Sequence, residues 1–258
     1  MKANFHTHTF RCLHAYGNEQ DYILEAIEKG LEVIGFSDHA PFPDIDYGLR
    51  MKFDDLPEHL AEVDKMKKKY SGRIKIYKGL EIEYHPQYID YYRSLLSDSG
   101  LDYLLLGEHM YTCEGRLKNI FFAESTDDYV EYAENIAQAA STGLFSCIAH
   151  PDIMMLNDFA WDENCDKARD IILDAAQEYD VILEYNANGF RRGLHKYSDG
   201  VRFPYPDERF WKSVSERELK TIIGSDCHIP GQVCDKAVEL SEKEAKKLGL
   251  NLTESMIR

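Results

Sequence analysis

The chain has 258 residues and a formal net charge of −16, from 46 acidic against 30 basic residues. Such acidity opposes binding to a polyphosphate backbone over any broad surface, so it argues against a nucleic-acid partner. The residues after Met1 leave no room for a signal peptide and no apolar run approaches membrane-spanning length, so we expect a cytoplasmic protein with no membrane partner.

Seven apolar runs of strand length recur along the chain, at residues 3–8, 33–37, 74–84, 103–106, 145–149, 181–185 and 221–224. Stretches with helical periodicity lie between them, at residues 21–29, 56–70, 88–96, 126–140, 162–179 and 207–215, and an amphipathic tail follows. This alternation is typical of repeated βα units. It predicts a single α/β domain over residues 1–258, as a closed barrel of parallel strands or, alternatively, an open doubly wound sheet.

Most histidines fall where a predicted strand ends. Six do so, and a seventh follows in the loop after the first strand: His6, His8, His39, His109, His150, His228 and then His14. Acids occupy the same ends: Asp38, Glu81, Asp152 and Asp226. Because the carboxyl ends of barrel strands converge on one mouth, these side chains should lie together.

Carboxylates gathered in a concave site are costly to bury unless cations neutralise them. Imidazole with carboxylate suits zinc, manganese or iron. With about eight or nine candidate ligands, and roughly four protein ligands or fewer at each open catalytic ion, we expect two or three divalent ions.

The motifs that carry these residues resemble those of the polymerase and histidinol phosphatase (PHP) family of metal-dependent phosphoesterases, and within it the monofunctional histidinol-phosphatases. They are His6-x-His8, His14, Ser37-Asp38-His39, Gly79-Leu80-Glu81, Gly107-Glu108-His109, Ala149-His150-Pro151 and Ser225-Asp226-Cys227-His228. The resemblance implies a distorted seven-stranded β/α barrel with a trinuclear metal centre at the carboxyl-terminal mouth.

The resemblance also implies which residues hold each metal ion. His6, His8, Glu81 and Asp226 would hold the first, His14, His39 and His228 the second, and His109 and His150 the third, with Glu81 bridging the first and third. Glu83 would orient a ligand, and Asp38 would either orient the His39 imidazole or cap a helix. His59, His85 and His195 are expected to be structural or solvent-facing.

The implied reaction is hydrolysis of a small phosphomonoester by a metal-activated hydroxide, with Asp226, His228 and Glu81 as catalytic residues. The implied substrate is L-histidinol phosphate, converted to L-histidinol and phosphate in histidine biosynthesis. Two alternatives remain: a PHP phosphoesterase for another small phosphomonoester or nucleotide, and a non-catalytic PHP module that binds a partner. The sequence leaves the oligomeric state open.

An anionic substrate of so acidic a chain needs a positive contact besides the metals. Arg191 and Arg192 directly follow the sixth predicted strand, in a stretch that resembles the histidinol-phosphatase pattern, and one of them is expected to bind the substrate phosphate. Arg11 and Arg50 are further candidates on loops of the same mouth. Many family phosphatases have a basic residue shortly after the position of His150, whereas this chain continues with residues 152–156 and has none there.

Overall fold

The computed structural model describes residues 1–257. The strands, in chain order, are β1 (Ala3–Asn4), β2 (Val33–Phe36), β3 (Lys75–Ile82), β4 (Tyr103–Leu106), β5 (Met110–Cys113), β6 (Arg116–Asn119), β7 (Cys147–Ile148), β8 (Ile182–Asn186), β9 (His195–Tyr197), β10 (Gly200–Arg202), β11 (Lys220–Gly224) and β12 (Asn251–Leu252). The α-helices are α1 (Glu19–Glu28), α2 (Leu56–Lys69), α3 (Ile89–Ser97), α4 (Asp127–Ser141), α5 (Glu163–Glu178), α6 (Asn188–Arg191), α7 (Glu208–Glu216) and α8 (Lys236–Leu248). Within residues 1–257, none of these helices combines the length and apolarity that a membrane span requires.

The main sheet is parallel and curled, with eight strands in the order β1-β2-β3-β4-β7-β8-β11-β12. Its two sides meet at the carboxyl ends of the strands, where Thr7 and Cys227 form a parallel bridge and the His8 N–H donates to the Cys227 carbonyl at 3.0 Å. At the opposite end β12 pairs with β11 through Asn251 and Leu252. The carboxyl ends of the strands therefore lie around one mouth, in a curled half-barrel rather than the closed barrel that the sequence predicts.

The prediction of seven sheet strands was wrong, because the structure has eight. The added strand, β12, has only two residues, both exposed, and lies in the tail for which only an amphipathic pattern was noted. So short a strand carries no alternating pattern, and only its pairing with β11 reveals it. Two antiparallel hairpins, β5–β6 and β9–β10, also went unpredicted within the loops that follow β4 and β8.

The first strand is much shorter than the predicted range of residues 3–8. The Asn4 side chain explains the early end, since its Oδ1 accepts the N–H groups of His6 at 3.3 Å and of Ser225 at 3.1 Å. A side-chain amide thus replaces main-chain pairing at this point. The chain still runs beside its neighbours far enough to reach the Thr7–Cys227 bridge.

A buried tyrosine on the fourth strand of the sheet bonds to the ends of the first two. The Tyr103 hydroxyl, on β4, lies 2.7 Å from the Phe5 carbonyl oxygen and 3.1 Å from that of Phe36. The ring is fully buried and packs edge-on against Phe5, with the ring centres 5.7 Å apart. This contact holds the base of the mouth, because Phe5 precedes His6 and Phe36 ends β2.

We expect Tyr103→Phe to lower the free energy of unfolding by about 1–3 kcal/mol, since buried carbonyl oxygens lose a donor. Denaturant unfolding followed by circular dichroism measures the change. Tyr16→Phe is the matched control: Tyr16 is 73% exposed, so its substitution should change stability by less than about 0.5 kcal/mol. Equal stability of the two variants would contradict the assignment.

Candidate metal centre

The structure brings all nine predicted ligands to the mouth, around the carboxylate of Glu81 on β3. Five imidazole nitrogens lie within 3.5 Å of this carboxylate: His39 Nδ1 and His150 Nε2 at 2.9 Å, His6 Nε2 at 3.3 Å, His8 Nε2 at 3.4 Å and His109 Nε2 at 3.5 Å. Glu81 itself is 1% exposed. A single buried carboxylate is therefore the geometric centre of the cluster.

Asp226 and His228 complete the opposite side of the cluster. Asp226 Oδ1 lies 3.2 Å from His8 Nε2 and 3.7 Å from His6 Nε2. His228 Nε2 lies 2.9 Å from His14 Nε2, and the His228 and His8 rings stack with centres 4.3 Å apart. Two imidazole nitrogens at this distance repel if both present lone pairs, so a proton or a cation must lie between them.

The donor set fits divalent metal ions. Buried polar atoms without a hydrogen-bonding partner are rare in folded proteins, yet His6 Nε2, His8 Nε2 and Glu81 Oε2 are all in that state and face the same space. Several groups of three side chains have ligand atoms that all lie within 4.8 Å of one another. They include His6, His8 and Glu81; His8, His39 and His228; and His6, His150 and Asp226. Imidazole with carboxylate suits zinc, manganese and iron.

The protonation of three of these side chains also suits metal ligation. Burial would raise the pKa of Glu81, but the imidazoles of His39 and His6 hold it well below its ordinary value. Burial, reinforced by His228, lowers the pKa of His8 to about 3, and burial lowers the pKa of His39. Glu81 is therefore ionised at neutral pH while His8 and His39 are neutral with free lone pairs, which is the state that binds a cation.

Two of the candidate ligands have unusual backbone conformations. His150 has a φ of 30° and Asp226 a φ of 48°, both in the left-handed region that non-glycine residues seldom occupy. Such strain persists only where the surroundings impose it, and it is concentrated at functional sites. Gly107 provides space for the central acid, because a Cβ there would lie 2.3 Å from Glu81 Oε1.

The two adjacent arginines have different surroundings. Arg192 lines a cavity of about 460 Å³ above the cluster, and its Nε lies 3.2 Å from the Tyr205 hydroxyl. Arg191 is not among the residues that line this cavity. Its guanidinium instead binds Asp235 at 2.8 Å, Ser225 Oγ at 2.9 Å and the Gln232 carbonyl at 2.9 Å.

The two further candidates for phosphate binding, Arg50 and Arg11, also have different surroundings. Arg50 lines the cavity and its guanidinium binds Glu83. Glu83 Oε1 lies 3.1 Å from His109 Nδ1, so this acid can orient that imidazole. Arg11 pairs with Glu19 and Glu58 instead and does not line the cavity.

Two acids expected to act at the mouth direct their hydrogen bonds to other groups. Asp152 Oδ2 accepts the Asp207 N–H at 2.6 Å and the Trp211 Nε1–H at 3.0 Å, so it supports the start of α7 rather than the cluster. Asp38 accepts both the N–H and the hydroxyl of Thr9, at 2.6 and 2.9 Å, and neither orients His39 nor caps a helix. Position at a strand end is not sufficient to place an acid in the ligand cluster, because these two side chains turn sideways to bind neighbouring loops.

The other three histidines lie outside the cluster. His59 is buried with Nδ1 3.2 Å from Glu19, and His195 is exposed. His85 is buried and its Nε2 lies 2.9 Å from the hydroxyl of Tyr47, a residue that lines the cavity. None of them is placed to bind a metal ion with the nine candidates.

Sequence reasoning missed Glu184 on β8. It is 1% exposed, and its Oε1 lies 2.7 Å from His6 Nδ1. The available signal was an acid inside the apolar run of residues 181–185, which could have been noticed because a lone buried carboxylate requires a partner.

Comparison with known proteins agrees with this geometry. The PHP domain family matches residues 4–188. A protein of Deinococcus radiodurans named "Probable histidinol-phosphatase" is 30% identical over 234 residues, 88% of this chain and 86% of that protein. The "Histidinol-phosphatase" of Bacillus subtilis is 26% identical, over 90% of this chain and 96% of that protein.

A solved structure has the same fold. It is the histidinol phosphate phosphatase of Lactococcus lactis, in complex with zinc, L-histidinol and phosphate. It superposes with a TM-score of 0.70 at 18% identity, over 97% of this chain and 95% of that chain.

Proposed function

Because the chain belongs to the PHP domain family, we propose that it is a metal-dependent phosphomonoesterase that hydrolyses L-histidinol phosphate to L-histidinol and phosphate. The observation that carries this proposal is the gathering of nine candidate ligands, Glu81 among them, beneath a cavity with arginine in its wall. The names of the Deinococcus and Bacillus relatives, which match over most of their length, support the substrate. A cavity of about 460 Å³ suits a small molecule.

The chain would hold two or three divalent ions of zinc, manganese or iron through the nine clustered side chains. Such ions supply Lewis acidity to a phosphoryl oxygen and to a water molecule. The protein keeps Glu81 and Asp226 ionised within the cluster, because neighbouring imidazoles oppose the effect of burial on the pKa of each. Asp226, His228 and Glu81 would thereby position the reacting groups, and we propose them as the catalytic set.

Arg192 would bind the phosphate from the cavity side. Its guanidinium can donate two parallel hydrogen bonds to phosphoryl oxygens, and this supplies the local positive charge that an acidic chain otherwise lacks. Arg191 was an equal candidate by sequence, but its donors are directed to Asp235, Ser225 and Gln232. We therefore assign phosphate binding to Arg192, with Arg50 as a second contact on the opposite loop.

The alternative function is hydrolysis of another small phosphomonoester. It is favoured by the segment after His150, where residues 152–156 carry no basic side chain. The non-catalytic module is less consistent with the site, because a module that had lost catalysis would be expected to lose ligands, and all nine are present.

Removal of divalent ions with a chelator should abolish turnover, and addition of Zn²⁺ or Mn²⁺ should restore it. Initial rates on histidinol phosphate, p-nitrophenyl phosphate and a nucleoside monophosphate then rank the substrates. We expect histidinol phosphate to have a kcat/KM at least about 10²-fold above the others, because polar groups of a fitted site discriminate strongly. Comparable values for all three would support the alternative, and no turnover of any would support the non-catalytic module.

A further inference from the structure

Strand β8 supplies no candidate ligand, yet side chains at its carboxyl end contact three ligands that come from other parts of the chain. These ligands are His6, His150 and Asp226. The contacts come from Glu184, Asn186 and Asn188. The end of β8 thus lies directly behind the metal-facing atoms of the cluster.

Glu184 fixes the orientation of the His6 ring. Its Oε1 lies 2.7 Å from His6 Nδ1, and both side chains are buried. A carboxylate accepts hydrogen bonds, so His6 must carry a hydrogen on Nδ1, and Nε2 is the ring atom left to bind a metal ion in the space beside Glu81 and Asp226. That Nε2 has no hydrogen-bonding partner in the structure, which is the state of a ligand atom.

The second oxygen of Glu184 acts on a different ligand. Oε2 accepts the backbone N–H of His150 at 3.1 Å. His150 has a φ of 30°, and a hydrogen bond to a buried carboxylate helps to stabilise this rare conformation. One carboxylate therefore sets the ring of His6 and the backbone of His150, which the family resemblance assigns to two different metal ions.

Asn186 connects this carboxylate to a third ligand. Its Nδ2 donates to Glu184 Oε2 at 2.8 Å and to Asp226 Oδ2 at 3.2 Å. The neighbouring strand leaves room for the arrangement, because a Cβ at Gly224 would lie only 1.7 Å from Glu184 Oε1. Among residues 1–257, no lysine or arginine pairs with Glu184, so its charge is balanced only by the cluster.

We propose that Glu184 is a positioning residue for the metal centre, which it serves by fixing the His6 tautomer and the His150 backbone together. This inference rests on the proposed metal-dependent function and deepens it. A purely structural role would only join β8 to the neighbouring segments. The two roles differ in whether loss of the carboxylate changes metal affinity in a protein that still folds.

The test measures metal binding directly in the full chain. Zn²⁺ affinity is determined by competition with a chelating indicator, and the geometry of the centre by the visible absorption of bound Co²⁺. We expect Glu184→Ala to weaken Zn²⁺ binding by about 10–100-fold, the usual effect of removing a group that orients a ligand. Glu184→Gln should lose less Zn²⁺ affinity than Glu184→Ala. Its amide oxygen can still accept a hydrogen bond from His6 Nδ1, whereas its NH₂ group cannot accept one from the His150 backbone N–H.

Glu19→Gln is the matched control, because Glu19 is another buried carboxylate beside a histidine Nδ1, at 3.2 Å from His59, outside the cluster. Zn²⁺ affinity and the Co²⁺ spectrum should stay unchanged in this variant. An equal loss in Glu19→Gln, or no loss in a folded Glu184→Ala, would overturn the inference and leave the proposed function intact. Failure of the unaltered protein to bind metal would overturn the function itself.

If circular dichroism shows that Glu184→Ala is unfolded, two milder variants test whether Glu184 positions the metal centre. Glu184→Gln keeps the side-chain shape, and Asn186→Leu keeps the carboxylate but removes the donor shared with Asp226. Weaker Zn²⁺ binding in both folded variants supports the inference. Affinity equal to that of the unaltered protein in both contradicts it.

Discussion

Glu81→Gln should lower kcat/KM for the proposed substrate by at least about 10³-fold. Glutamine keeps the shape of the side chain but removes the charge that five imidazoles surround. Charge stabilisation by metal ions contributes several kcal/mol to a transition state, and about 4 kcal/mol corresponds to this factor. Steady-state kinetics with saturating Zn²⁺ measures the loss.

Metal analysis of the same variant tests the cause of that loss. We expect fewer ions bound in Glu81→Gln than in the unaltered protein, since the family resemblance assigns Glu81 to both the first and the third ion. Glu83→Gln is the graded comparison, because Glu83 directly follows the same strand and contacts the candidate ligand His109 without being a candidate ligand itself. Its kcat/KM should fall by about 10–100-fold. Unchanged metal content with activity within tenfold of the unaltered protein would refute the central role of Glu81.

Arg192→Ala should raise the inhibition constant for inorganic phosphate by about 10²-fold, with a similar fall in kcat/KM. The reason is the loss of charge-assisted hydrogen bonds, each about 1.5–3 kcal/mol, from the cavity wall. Arg192→Lys should recover part of the affinity, because lysine keeps the charge and loses the planar fork. Product-inhibition kinetics with phosphate gives the constants.

Arg191→Ala is the control for Arg192→Ala. Arg191→Ala removes hydrogen bonds to Asp235, Ser225 and Gln232, so we expect a lower melting temperature. The inhibition constant of Arg191→Ala for phosphate should remain within about threefold of that of the unaltered protein, because Arg191 does not line the cavity. A reversed pattern, with phosphate affinity lost in Arg191→Ala and kept in Arg192→Ala, would exclude the assignment.

Sequence reasoning located the clustered histidines because parallel strands impose a simple rule: their carboxyl ends lie together. His39, His109 and His150 come from segments far apart in sequence and meet at Glu81 for that reason. The same rule was wrong for Asp152, whose side chain turns to the backbone of Asp207. Strand position determines where a residue lies, whereas the direction of its side chain depends on contacts with other elements.

The roles of Arg192 and Glu184 could not be predicted from the sequence either, because they too depend on contacts with other elements. Arg191 and Arg192 are adjacent and chemically identical. Arg191 ends the short helix α6 and Arg192 directly follows it, and this single step along the chain separates a structural guanidinium from one in the cavity. Glu184 lies in an apolar strand, and its importance comes from His6, which is far away in sequence. Long-range pairings of this kind become visible only when the strands are assembled.

The bridge between Thr7 and Cys227 joins segments separated by 220 positions. During synthesis on the ribosome, His6 and His8 must therefore wait until about 220 further residues have been made before Asp226 and His228 can reach them. Only part of the candidate ligand set exists on the nascent chain before that point, so the proposed metal centre could be completed only after translation has passed these residues. Maturation of the enzyme is thus a late event, coupled to the closure of the fold rather than to the emergence of its first metal-binding motif.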